Sequence, residues 1–185
     1  MDDTKPNIPA HDNDPGAIPE AGLLGRAINA LGGVFALAII ASAVILIIEV
    51  VLRYGFNRPT IWGHESVIFL TAITFLFGGL YVASRDRHIR VVLIYDALSP
   101  RARRVMNIAL SVVNAIGCAI FALASWQVAE AAMFMPNGSF RFDTTGSAWN
   151  PPTPGLVKLF LFIIMVLLTV QFARLAWGYA RGRDE

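Results

Sequence analysis

The stretch Glu49–Arg104, EVVLRYGFNRPTIWGHESVIFLTAITFLFGGLYVASRDRHIRVVLIYDALSPRARR, decides the fold. It starts at the polar end of one apolar run, crosses a complete second run, and closes in a dense basic loop. Ser66–Ala83 inside it gives 18 consecutive residues without a charge. At 1.5 Å per residue that is about 27 Å, close to the hydrocarbon thickness of a bilayer. Working outward, Leu31–Ile48 is a second such run of 18 residues. Two further apolar stretches follow, Val105–Met133 and Leu156–Tyr179. The expected fold is an all-α membrane protein with four transmembrane helices, at about 27–52, 62–83, 105–133 and 156–179.

Composition agrees. The 185 residues are 56% hydrophobic and 15% charged, against about 25% charged in soluble domains. Mean hydropathy is +0.58 and the pI is near 9.0. The excess of base does not point to nucleic acid, because the basic residues flank apolar runs, where they set topology or meet headgroups. The single cysteine, Cys118, lies in an apolar run; it reads as a small packing residue and allows neither an internal disulfide nor a CxxC pair.

Met1–Ala21 holds four prolines and five acidic residues and is expected to be a disordered tail over 1–22. It lacks the basic flank of a signal peptide, and the next run is too long for a signal core, so a retained first helix is expected. In that helix Gly32, Gly33, Ala38 and Ser42 are small residues of the kind that let helices approach closely in lipid. Gly78, Gly79 and Ala83 repeat the signature in helix 2. Glu49 and Arg53 are four apart, a spacing that favours an ion pair. Gly55 and Pro59 break the chain; Trp62 is placed as an interfacial aromatic, and Glu65 lies in the favourable first turns of helix 2.

The basic loop carries Arg85, Arg87, Arg90, Arg101, Arg103 and Arg104. Between them Ile89, Val92, Leu93 and Tyr95–Leu98 can form an apolar face with Arg90 and Asp96 outside it. An amphipathic surface helix is therefore expected between helices 2 and 3, over about 87–98. Ser99-Pro100 ends it and opens helix 3. In helix 3 Asn114 and Gln127 are expected to point inward and join helices. The connection 135–154 is rich in Gly, Pro, Ser and Thr and includes Trp149-Asn150-Pro151-Pro152. Arg174, Trp177 and Tyr179 end helix 4 as an interfacial set, before a short basic tail, 181–185.

Lys5, Arg26, Arg174, Arg181 and Arg183 fall on the same side as the six arginines of the basic loop, eleven in all, against Arg53, Arg58, Arg141 and Lys158 on the other. The positive-inside rule then puts both termini and the basic loop in the cytoplasm. Histidines His11, His64 and His88 avoid helix centres, so paired haem ligands are not offered. No helix centre carries a charge of the sort a self-contained carrier would need. No enzyme activity, cofactor or metal is expected, and the chain reads as one part of a larger machine.

The order Glu49…Arg53-Tyr54-Gly55-Phe56-Asn57, Trp62…Glu65, Arg85…His88-Ile89-Arg90 and Leu98-Ser99-Pro100-Arg101 resembles the small membrane subunit, DctQ-like, of tripartite ATP-independent periplasmic (TRAP) transporters. The resemblance covers roughly Leu23–Tyr179. Members often carry Asp just after the His-x-Arg-Val piece; here Val92 stands there and Asp96 follows four residues later. The resemblance implies a non-catalytic subunit of the bacterial inner membrane that scaffolds a large membrane subunit. That machine would take up an organic acid, delivered by a periplasmic binding protein and driven by sodium. Glu49, Arg53, Trp62, Glu65 and Trp149 are the candidate contacts to the partner subunit or binding protein. Arg85, His88, Arg90, Asp96 and Arg101 are the candidates on the cytoplasmic side, for the partner or for membrane phospholipids. The competing expectations are a self-contained small homo-oligomeric carrier or exporter, and a membrane redox subunit.

Overall fold

The computed structural model describes residues 22–85 and 99–181. The expected surface helix over 87–98, with His88, Arg90 and Asp96, lies outside the described residues, as do both terminal tails. Among the described residues four helices follow one another: α1 (Gly22–Gly55), α2 (Ile61–Ser84), α3 (Pro100–Met133) and α4 (Thr153–Ala180). Each is long and apolar enough to cross a membrane. The all-helical four-span expectation therefore holds.

The helices outrun the spans drawn from hydropathy. α1 and α3 have 34 residues each, about 51 Å of helix where about 30 Å of hydrocarbon needs crossing. Backbone hydrogen bonding does not stop where lipid does. α3 begins at Pro100, five residues ahead of its apolar run, because Ser99 caps it: the Ser99 hydroxyl accepts from Ala102 N and Pro100 takes the first turn. Proline suits that position because its missing N–H would have had no helical partner there.

In space the helices pack in the order α1, α2, α4, α3. The core joins Ile28 of α1 to Phe77, Leu80 and Ala83 of α2 and to Ile164, Leu168, Phe172, Leu175 and Tyr179 of α4. The Phe35 and Phe77 rings stack at 3.9 Å. α1 and α3 are thus the outer helices. The covered residues of α1 include Ile28, Gly32, Phe35, Ala38, Ser42, Ile45 and Glu49, one seam at a spacing of three and four. The rest of α1 shows Val34, Leu37, Ile40, Val44, Ile47 and Val51 outward. In a membrane protein such a surface faces lipid or another chain.

Two expectations are corrected here. Asn114 and Gln127 do not point inward; both are exposed on α3. The inward polar residues of α3 are Asn107, Ser111 and Ser125, one seam further round the helix. In α4 Gln171 is wholly buried, and neither of its amide atoms meets a hydrogen-bond partner among the described residues.

Both helical hairpins are tied at the end where α1 begins and α4 closes. Arg85 Nη2 and Nε donate to Asn29 Oδ1 at 2.6 and 3.2 Å, joining α2 to α1. The same guanidinium lies 4.4 Å over the Tyr81 ring, and that ring sits on Gly32. Arg104 of α3 donates to the Tyr179 and Ala180 carbonyls at 2.8 and 2.6 Å. A cation there satisfies the last carbonyls of α4 and meets the negative end of its dipole.

Candidate functional site

The opposite end gathers most of the candidate residues. It is built from the corner between α1 and α2 and from the loop between α3 and α4. Glu49 ends the covered seam of α1, and its carboxylate is saturated. Oε1 accepts from Arg53 Nη2 at 2.7 Å and Nε at 3.2 Å. Oε2 accepts from the Thr60 backbone N–H at 3.0 Å and the Thr60 hydroxyl at 2.5 Å. Thr60 is in turn the N-cap of α2, its Oγ1 accepting from Gly63 N at 3.3 Å. One carboxylate therefore fixes where α1 ends and where α2 begins.

Gly63 is part of this joint for a steric reason. A Cβ there would stand 2.6 Å from Thr60 Oγ1 and 3.3 Å from Glu49 Oε2. The turn between the helices closes with Arg58 N donating to Leu52 O at 2.9 Å and with Asn57 at φ 50°. Asparagine tolerates that left-handed conformation better than most side chains.

The expected Glu49–Arg53 pair thus exists, but it is only half of the arrangement. Thr60, eleven residues from Glu49, is the half that spacing does not reveal. Its cap role has a sequence signal, a threonine directly before an apolar helical run; its bond to Glu49 has none. With all its acceptor positions on one arginine and one threonine, Glu49 holds a corner and is not offered to a substrate.

Beside the joint lies an open cleft of about 600 Å³, lined by Leu46, Val50, Tyr54, Pro59, His64 and Glu65 together with the Glu49–Arg53 pair. The Arg53 side chain is 47% exposed, and Tyr54, Phe56 and Trp62 are exposed around it. Arginine with exposed Tyr and Trp is the composition of protein contact surfaces.

The α3–α4 loop is folded onto this corner. Phe134 and Phe140 pair as an isolated bridge, and Phe140 meets Phe134 and Phe142 edge-on at 5.7 and 5.1 Å. Asp143 anchors the return: its N–H donates to Ala132 O, and its carboxylate meets Lys158 Nζ at 2.5 Å. Gly155 admits the loop, since a Cβ there would lie 2.8 Å from Phe142 Cδ1 and 3.1 Å from Asp143 N. The Thr145 hydroxyl then reaches Glu65 Oε2 at 3.3 Å, joining the loop to α2. At the tip the Ser147 hydroxyl accepts from Trp149 N and Asn150 N, and Asn150 Oδ1 accepts from Gly146 N. Trp149 projects from this ordered tip, 48% exposed.

Glu49, Arg53 and Glu65 are therefore brought to one cleft, with exposed Trp62 at the same helix start and Trp149 on the loop that Thr145 ties to Glu65. At the other end Arg85 spends its guanidinium on Asn29 and Tyr81, while Arg101 is exposed in the first turn of α3. Among the described residues no group of three or more His, Cys, Asp or Glu side chains is placed to hold a metal ion.

The family model described as "Tripartite ATP-independent periplasmic transporters, DctQ component" matches residues 42–182. That span runs from the middle of α1 to the end of α4 and takes in the corner, the cleft and the loop. No curated protein matches the chain.

Proposed function

The chain belongs to the DctQ family, the small membrane components of TRAP transporters, and from this premise we propose that it is the non-catalytic scaffold of its transporter. The family works with a large membrane subunit and a periplasmic binding protein. In our proposal this subunit holds the large one in place while the large one carries an organic acid inward with sodium. The basic loop and both termini face the cytoplasm. The Glu49–Arg53–Glu65 cleft and the Trp149 loop face the periplasm, where they meet the partner subunit or the docked binding protein.

The observation that carries the scaffold role is the double bracing of the α1–α2 hairpin. Glu49 with Thr60 locks one end, and Arg85 with Asn29 and Tyr81 locks the other. Such ties make the α1–α2 hairpin a rigid unit, as a static frame requires. The apolar outer faces of α1 and α3 supply area for the large subunit. Exposed Asn114 is placed to find a hydrogen-bond partner there, since an unpaired amide in hydrocarbon is costly.

The test is isolation of this chain from its membrane in mild detergent, followed by reconstitution. A stoichiometric large multispanning partner is expected, with uptake only when both membrane subunits and the binding protein are present. Solute transport by vesicles holding this chain alone would overturn the scaffold role and favour the homo-oligomeric carrier.

A further inference from the structure

Glu65 serves two clefts. Besides walling the one described above, it stands at the rim of a second, of about 320 Å³, between the first turns of α2 and α4. The floor of this second cleft is apolar, made by Ile68, Phe69, Ala72 and Val157, and Lys158 stands on the rim with Glu65. The two rim charges have unequal company. Lys158 is paired with Asp143, which uses one of the three donors of its ammonium. Glu65 accepts one long hydrogen bond, from Thr145, and no base among the described residues pairs with it.

Each rim charge ends an uncharged stretch of helix. Glu65 and Arg85 bracket 19 uncharged residues of α2, about 28 Å of helix, and Lys158 and Arg174 bracket 15 of α4, about 22 Å. The first interval is close to the hydrocarbon thickness of about 30 Å, and the second lies within it. Charges at the ends of such stretches are expected at the level of the headgroups, and here they stand beside the apolar lining of the cleft.

We propose that this cleft binds an aminophospholipid, a lipid whose headgroup carries a primary amine beside its phosphate. The ammonium donates to the free acceptor positions of Glu65, the phosphate takes the remaining donors of Lys158, and one acyl chain lies on Ile68, Phe69, Ala72 and Val157. A basic side chain from a protein partner would use Glu65 and leave both Lys158 and the apolar floor unmatched; a zwitterion above an acyl chain uses all three. A trimethylated amine has the charge but no N–H to give, and charge-assisted hydrogen bonds are the stronger contact. The proposal concerns this chain's own surface, and its lipid series is read on the chain without its transporter partners.

The experiment is native mass spectrometry of the full chain in detergent with four lipids of the same acyl chains. These are phosphatidylethanolamine, its N-methyl and N,N-dimethyl derivatives, and phosphatidylcholine. Retention is expected to fall stepwise, at least fivefold from the first to the last. Equal retention of all four overturns the proposal without any mutation being made. Glu65→Gln is expected to flatten the series to within twofold, and Lys158→Gln to lower retention of all four alike. An unchanged series in Glu65→Gln overturns the assignment of Glu65. In the complex with its large subunit, Phe69→Cys in a Cys118→Ala background is expected to stay uncoupled to that subunit. Efficient cross-linking there, with the amine lipid absent, would mean that protein fills the cleft, and would overturn the proposal.

Discussion

Replacing Gly32 by alanine should destabilise the isolated chain, whereas the same change at Gly33, its neighbour, should not. A Cβ on Gly32 would stand 2.6 Å from Tyr81 Cε2 and 3.3 Å from Cδ2 and Cζ. Favourable carbon contacts need about 3.5–4.0 Å, so the ring or the helix must give by about an ångström. The ring is not free to swing, because the Arg85 guanidinium covers it and Phe77 packs beside it. Overpacking of this kind costs about 1–3 kcal/mol, and displacing the ring forfeits about 0.5–1 kcal/mol of cation–π contact. Alanine returns about 1 kcal/mol of helix propensity. The net loss is about 0.5–3 kcal/mol, or about 1–12 °C in Tm for a chain of this size. At Gly33 no heavy atom lies within 4 Å of the new Cβ, so only the propensity gain remains and Tm should hold or rise. The assay is thermal unfolding of the purified chain in one detergent, followed by intrinsic tryptophan fluorescence. Tyr81→Leu serves as the coupling partner, and Gly32→Ala should cost less in its presence. Equal Tm for the two glycine variants, or full additivity with Tyr81→Leu, would show that the ring is not seated on Gly32.

Four further outcomes are expected. Thr60→Val, which keeps shape but removes the hydroxyl shared by Glu49 and Gly63, should lower Tm and speed hydrogen exchange at the start of α2, while Thr60→Ser preserves both; equal damage from the two would remove the hydroxyl from the account. Gly155→Ala should loosen the α3–α4 loop, seen as faster exchange over residues 141–146 with α4 unchanged, because its Cβ meets backbone at Asp143 as well as Phe142. Asn114→Leu should leave the Tm of the isolated chain within about 2 °C, as expected of an exposed site, but reduce recovery of the large subunit in a pull-down; undiminished recovery would place that face in lipid. Gln171→Leu should hold or raise Tm by a few degrees, since it replaces a buried amide that has no partner among the described residues by an apolar group of similar volume; a clear drop would show that the amide is satisfied in solution.

The four spans were legible because lipid imposes its demand residue by residue: 18 uncharged positions make a span whatever they pack against. The Ser99-Pro100 start of α3 was legible for a similar reason, since capping is local. The Glu49–Arg53 pair could be read because an interval of four is one helical turn. Thr60 as the second partner of Glu49 could not, because it depends on the path of the turn. Nor could the fate of Arg85, which as a loop residue reads as a topology signal and in the folded chain is bonded to Asn29 from 56 residues away.

By itself the sequence determined the number of spans, their order, the asymmetry of basic residues and the likeness to a family, all properties that add up along the chain. Which face of each helix is covered belongs to the tertiary structure alone. Gly32 and Gly33 are identical in composition and hydropathy, yet one lies under a tyrosine ring and the other faces outward. Asn114 is exposed while Ser111, three residues earlier, is buried. In lipid the inner and outer faces of a helix are both apolar, so the polar–apolar contrast that marks the buried side of a soluble helix is lost. What remains to choose the face is the fit of one side chain against another, and that is settled only when the helices are packed.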